Sequence, residues 1–316
     1  MGERKVTVKD LKEHLNYVQV TGNELSLERE ILVADTNRPG LELTGYYLHS
    51  QRERIVILGN KEMGYIQGMS HEAQFTSFEY LTQDETPCII ITHGAQCPDL
   101  LREIAQRKKF PVLCTHEETY RVIIDTVTFL DEKMAPMTSL HGVLVQIYGK
   151  GVLLTGESGM GKSEIALELI KKGHLLIADD RVDCFLMHQE IIGQSPPVLK
   201  EMLEIRGVGI INVSKMFGVS SVLDKTKIDL NIHLEPWQVE KDYDRVGIEK
   251  KKYKDILGVS IPKLELPVKE GRSMAAIIES AVTNYLLSSM GQDSAKEFEE
   301  RILRYIEFNK NGGNES

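Results

Sequence analysis

Cysteine is scarce. The four in 316 residues, Cys88, Cys97, Cys114 and Cys184, form no C-x-x-C pair and sit mostly in apolar contexts. They read as reduced, structural thiols, which fits a cytoplasmic location. No H-E-x-x-H or zinc-ribbon spacing is present, so a permanent transition-metal site is not expected. No apolar run nears the ~20 residues that span a bilayer, and the opening MGERKVTVKD lacks a secretion-signal core. Gly2 is followed by Val6 where a myristoylation signal needs Ser or Thr. A long basic block is missing too. The net charge is −9, and Lys250-Lys251-Lys252 is a short run that reads as solvated surface. Nucleic acid and anionic membrane are therefore not expected as main partners.

What remains is a globular composition, 41% hydrophobic and 27% charged, in a chain long enough for two domains with separate cores. Its most informative stretch is residues 151–170, GVLLTGESGMGKSEIALELI. The apolar Val152-Leu153-Leu154 reads as a buried strand. The following Gly156-Glu157-Ser158-Gly159-Met160-Gly161-Lys162-Ser163 fits G-x-x-x-x-G-K-[ST]. Glycines let backbone wrap phosphate oxygens, and amides at a helix N-terminus point at them. Lys162 supplies a mobile charge for β and γ phosphates, and the Ser163 hydroxyl can ligate Mg²⁺. The motif identifies a nucleotide or polyphosphate site without naming a reaction.

Upstream, strands are expected at 17–20, 31–34, 55–58, 88–91 and 110–114. Helices are expected at 7–14, after Ser70, from Asp99 to about Lys109, and at 117–130. This alternation implies an α/β domain over residues 1–131. The turn at 35–40 and His93-Gly94 carry no chemistry that exceeds ordinary connections. Residues 132–140 contain a proline, lack periodicity and read as a linker. The second domain, 141–310, opens with a hairpin turning at Gly149-Lys150-Gly151. Two helices, 273–289 and 294–308, close it, and 311–316 read as a disordered tail.

The strand at 175–178 delivers Asp179-Asp180. These carboxylates either hold Mg²⁺, accept a proton, or cap the next turn. Leu203-Glu204-Ile205-Arg206-Gly207 sets a carboxylate and a guanidinium beside glycines, a pattern that a solvated salt bridge also satisfies. His233 falls on the polar face of an alternating strand and reads as solvated. Arg245, among Asp242, Tyr243 and Asp244, is ambiguous alone.

Together, HGVLVQIYGKGVLLTGESGMGKSEIALELI, LLIADD, LEIRGVGIINV and LPVKEGRSM resemble the bacterial HPr kinase/phosphorylase family over nearly the whole chain. The resemblance implies a C-terminal P-loop domain like that of phosphoenolpyruvate carboxykinase. It also implies ATP-dependent phosphorylation of a serine of HPr, the phosphocarrier of the sugar phosphotransferase system. The reverse reaction is phosphorolysis, in which inorganic phosphate attacks and pyrophosphate leaves. Carried over, Gly156 to Ser163 would bind phosphates, Ser163 and Glu204 would hold Mg²⁺, and Asp180 would exchange the serine proton. His141 and Arg245 would complete the site, with segments 203–212 and 266–271 serving both directions and phosphorolysis respectively. A homohexamer, a fructose 1,6-bisphosphate effector and a regulatory N-terminal domain are further implications, as is a role in carbon catabolite repression. One departure stands out. Lys269-Glu270 replaces the family's usual Arg-Pro, and lysine offers no planar fork to phosphate. The competing readings are a small-molecule P-loop kinase and a non-catalytic nucleotide sensor.

Overall fold

The computed structural model describes residues 5–237, 252–269, 271–292 and 294–311, with backbone alone at 294–296, 299 and 307–311. It divides into two units, Met1–Ala135 and Pro136–Ser316.

In the first unit, α1 (Val8–Leu15) starts where Thr7 and Asp10 cap each other's backbone amides and stops at left-handed Asn16. There follow β1 (Val18–Thr21), α2 (Glu24–Leu27), β2 (Thr36–Asn37), β3 (Ile55–Leu58), α3 (Asn60–Gly68) and α4 (His71–Leu81). The unit closes with β4 (Ile89–Ile91), α5 (Asp99–Lys108), β5 (Val112–Cys114) and α6 (Thr119–Met134). The sheet runs β1-β5-β4-β3-β2, parallel except for β1 against β5. Alternation along the strands feeds two cores. Val56, Leu58, Ile89 and Ile91 meet α3, α4 and α5, while Ile55, Ile57 and Ile90 meet α1 and α6. A sheet buried on both faces explains why its strands read as continuous apolar runs.

Two expectations change here. Residues 31–34 form no strand: Ile31 is buried, but Leu32 and Val33 face outward, and pairing begins at Thr36. The expected linker at 132–140 is also replaced. Helix α6 reaches Met134 and β6 (Met137–His141) starts three residues later, leaving Ala135-Pro136 as the connection. Proline ends the helix by disfavouring helical backbone before it, and 137–141 pair with a later strand.

The second unit continues with β7 (Val143–Ile147), β8 (Lys150–Gly156), α7 (Lys162–Lys171), β9 (Leu175–Ala178), β10 (Arg181–Met187) and β11 (Glu190–Gln194). After these come β12 (Met202–Ile205), β13 (Gly209–Asn212), α8 (Val213–Phe217), β14 (Lys225–Pro236), β15 (Lys252–Ile256), β16 (Val259–Val268), α9 (Met274–Ser289) and α10 (Ser294–Asn311). Asn311 thus belongs to a helix, and 312–316 lie outside the described residues. The large sheet runs β6-β10-β11-β14-β8-β7-β9, and β14 also pairs β16. Strand β14 is central: it lies parallel to both β8 and β16. Helices α7 and α9 cover one face, packing Ile165, Leu169, Ile278 and Val282 on Val152, Leu154, Leu230 and Ile232.

The β7–β8 hairpin turns one residue earlier than expected. Tyr148 and Gly149 both take positive φ (51° and 79°), as a two-residue turn that follows strand twist requires. Lys150 and Gly151 are inside β8, because β14 presses there. A Cβ on Gly151 would stand 1.8 Å from the Lys227 carbonyl oxygen. Burial keeps the thiols quiet, pushing Cys88 and Cys184 up to about 12 and Cys97 to about 11.

This packing sets an ordering. Gly151→Ala, meeting rigid backbone, is expected to cost about 3 kcal/mol, against about 1–2 kcal/mol for Gly149→Ala, which is strained only in φ. Urea unfolding of both variants checks it, and equal costs would contradict the β8–β14 register.

Candidate active site

The phosphate loop hangs between β8 and α7, and two glycines are required by its shape. Gly156, at φ 148°, lies so close to β14 that a Cβ would stand 2.5 Å from the Leu234 carbonyl oxygen. Gly161 takes φ 76° as the residue preceding α7, whose first amides no side chain caps. Met160 anchors the loop by packing on the core. Lys162 is 7% exposed, and its Nζ donates to the carbonyls of Gly156 (3.0 Å) and Glu157 (2.9 Å). Burial lowers its pKa, against the opposing pull of Asp179 and Asp180. The ammonium is thus held inside the curl of the loop.

Strand β9 ends at Ala178, and the next two residues diverge. Asp179 is buried. Its Oδ1 accepts from the Ser163 hydroxyl (2.8 Å), and its Oδ2 accepts from the Glu204 amide (3.0 Å). Burial raises its pKa, while those two bonds and the Asp180 amide pull the other way. Asp180 turns left-handed (φ 64°), a conformation aspartate tolerates, so that β10 can start at once. Its carboxylate is exposed and stands 3.0 Å from Nδ1 of His141, the last residue of β6.

The β12–β13 hairpin completes the cleft. Its register pairs Glu204 with Ile210 and Ile205 with Gly209, and Gly207 and Gly209 take positive φ in the turn. Arg206 rises from that turn over the phosphate loop, where a Cβ on Gly159 would lie 3.2 Å from its Nη1. The resulting cleft, about 290 Å³, is lined by His141, Ser158, Lys162, Ser163, Asp179, Asp180, Glu204 and Arg206 among others.

Of the residues expected from sequence, Gly156 to Ser163, His141, Asp180 and Glu204 are brought to this one region. Arg245 lies outside the described residues, as does Glu270. Two contributors escaped the sequence reading. Asp179 was one of a pair that spacing could not resolve, and Arg206 matched a solvated ion pair. Only the hairpin, 25 residues past Asp179 by the Glu204 bond, reveals both. His233 is a correction: instead of standing in solvent, its Nδ1 is 3.1 Å from Thr155 Oγ1, and burial lowers its pKa.

The side-chain oxygens of Ser163 and Glu204 suit Mg²⁺, which takes one or two carboxylates and leaves positions for phosphate and water. Among the described residues no group of three His, Cys, Asp or Glu side chains is spaced to cage a metal.

The family model described as HPr Serine kinase C-terminal domain matches residues 132–302, and that of the HPr Serine kinase N terminus matches residues 6–130. The chain belongs to the HPr kinase/phosphorylase family. It is 43% identical over 306 residues to HPr kinase/phosphorylase 1 of Oceanobacillus iheyensis, covering 96% of this chain and 97% of that one. To the HPr kinase/phosphorylase of Lactiplantibacillus plantarum it is 42% identical over 305 residues, 96% of each chain. A solved structure of the Hpr(Ser) kinase/phosphatase from Coxiella burnetii is 35% identical and covers 51% of this chain and 98% of its own, with a TM-score of 0.47. As a member of the HPr kinase/phosphorylase family the chain is an enzyme, a kinase that uses ATP.

The buried tether yields a pH test. Burial holds Asp179 above its ordinary 3.8, so the folded chain keeps that proton to higher pH than the unfolded chain. The linked stability is full below 3.8 and declines as pH rises through the folded value. Asp179→Asn removes this titration, so relative to wild type it should gain stability as pH rises above 3.8 and level off once pH has passed the folded value. Urea midpoints at stepped pH read the difference, and a flat or falling difference would contradict the assignment.

Proposed function

We propose that the chain transfers the γ-phosphoryl group of ATP to a serine of HPr, and removes it by phosphorolysis. The observation that carries the reading is the Asp180–His141 pair at 3.0 Å, in the same cleft as Lys162 and the phosphate loop. A hydroxyl acceptor needs a carboxylate to take its proton, and a phosphoryl donor needs clustered positive charge.

The amides of Gly156 to Ser163 hold the phosphates, and Lys162 swings from the loop carbonyls to the β and γ oxygens. Ser163 and Glu204 would hold Mg²⁺, which would supply charge neutralisation for the phosphates, and Asp179 keeps both residues in place. Asp180 accepts the serine proton as the serine oxygen bonds to the γ-phosphorus, the bond from that phosphorus to the β–γ bridging oxygen breaks, and ADP leaves. His141 aims that carboxylate through its Nδ1 contact. Arg206 adds charge above the loop, and Arg245 is assigned a phosphate contact from the family motif.

In the reverse direction an oxygen of inorganic phosphate attacks the phosphoserine phosphorus. The bond from phosphorus to the serine oxygen breaks, Asp180 passes the attacking phosphate's proton to that oxygen, and pyrophosphate leaves. This activity would regulate carbon catabolite repression and sugar uptake from the cytoplasm. A homohexamer is supported by α10, where Phe298, Ile302, Tyr305 and Ile306 are 41–69% exposed, more apolar surface than a lone helix usually presents. Fructose 1,6-bisphosphate as effector and a regulatory N-terminal domain complete the proposal.

Incubation with HPr and γ-labelled ATP, followed by phosphoamino-acid analysis, tests it. Label on serine is expected, and Lys162→Ala should lower the rate by at least about 10²-fold with an unchanged thermal transition. Label that never reaches HPr would overturn the proposal.

A further inference from the structure

Trp237, the single tryptophan of the chain, stands immediately after β14. Its amide donates to the Val268 carbonyl at the end of β16 (3.3 Å). The turn beyond β16 carries two cations, and both lie over this indole. Lys269 Nζ is 5.2 Å from the ring centroid, and the Arg272 guanidinium carbon is 5.5 Å from it. The turn closes on itself through the Arg272 amide and the Lys269 carbonyl (3.4 Å), with Gly271 at φ 82°. Among the described residues no carboxylate pairs with either cation. Two like charges that ought to separate are gathered on one half-exposed ring instead.

Their place in the sheet gives this meaning. Gly156, where the phosphate loop begins, is opposite Leu234 on β14, and Leu234 is opposite Leu266 on β16. The three strands are parallel, so the loop, Trp237 and the basic turn leave the same carboxyl-terminal edge. Strands are ~4.8 Å apart, so the turn is rooted about 10 Å from Gly156. That edge is where ligands of parallel sheets bind.

We propose that Trp237 is a positioning residue for phosphorolysis, a platform that pre-orders Lys269 and Arg272 toward the attacking inorganic phosphate. This rests on the phosphorolysis reading above. A lysine stem has much rotamer freedom to lose on binding an anion, and ring contact removes part of that loss beforehand. The need is greatest in reverse, where free phosphate and phosphoserine, both anionic, approach together. Forward, the acceptor is a neutral hydroxyl. The platform also explains how lysine serves at 269: the ring supplies the orientation that a planar guanidinium would otherwise bring.

The test uses the full chain with Trp237→Leu and Trp237→Phe, measuring both directions while phosphate and ATP are titrated. For the leucine variant the half-saturating phosphate should rise about tenfold, as loss of two cation–π contacts implies. That rise should be at least five times any change in half-saturating ATP, and phenylalanine should recover most of it. Equal changes in both directions, or an unchanged phosphate requirement, would overturn the role. A second readout separates this from the reading it rests on. Inorganic phosphate should perturb the emission of Trp237 in wild type but not in Lys269→Met/Arg272→Met, whether or not phosphoserine is turned over. Emission insensitive to phosphate in wild type would overturn the platform itself. A phosphate response without pyrophosphate release would overturn phosphorolysis and leave a phosphate-binding platform.

Discussion

A single buried carboxylate ties the site together. Asp179 takes one bond from the side chain of the phosphate-loop helix and one from the backbone of the β12–β13 hairpin. Burying a carboxylate is unfavourable unless donors replace its water, and here the Ser163 hydroxyl and two backbone amides do so. The same bonds bring Ser163 and Glu204 to one region. Lose them, and the hairpin that carries Glu204 and Arg206 has no polar anchor beside the loop. Asp179 is thus a buried tether, while Asp180, one residue on, is exposed beside His141, as its proposed proton exchange requires.

Beneath that tether the sheet supplies rigidity. Gly151 and Gly156 meet β14 so closely that side chains there would strike backbone oxygens. The loop is thus suspended from a strand whose height and register are set by contact. Above this scaffold, the charges proposed to meet phosphate are on long side chains, Lys162, Arg206, Lys269 and Arg272, whose roots the sheet and its loops hold. Phosphoryl transfer depends on placed charge more than on covalent chemistry, and the division suits it.

Legibility from sequence followed the range of the determining contacts. The phosphate loop was readable because eight consecutive residues carry its whole chemistry, and apolar runs marked most strands of both units. The hairpin turn was misplaced by one residue because Gly151 is a glycine for β14, far away in sequence, and not for the turn. The supposed linker has no helical period since half of it is strand, paired with β10 more than 40 residues later. Asp179 and Arg206 were hidden for the same reason. Neighbouring aspartates look alike until the fold buries one, and an Arg beside a Glu looks solvated until a hairpin lifts it over the loop.

The central claim is that Asp180 takes and returns the serine proton while the loop holds the nucleotide independently. The most direct measurement is Asp180→Asn, assayed for phosphorylation of HPr, for phosphorolysis of phosphoserine-HPr and for nucleotide affinity on one preparation. The account predicts that both rates fall by about 10²–10⁴-fold with nucleotide binding nearly unchanged. Lost nucleotide affinity with full turnover at saturation would contradict it, making Asp180 a cation ligand and not the base.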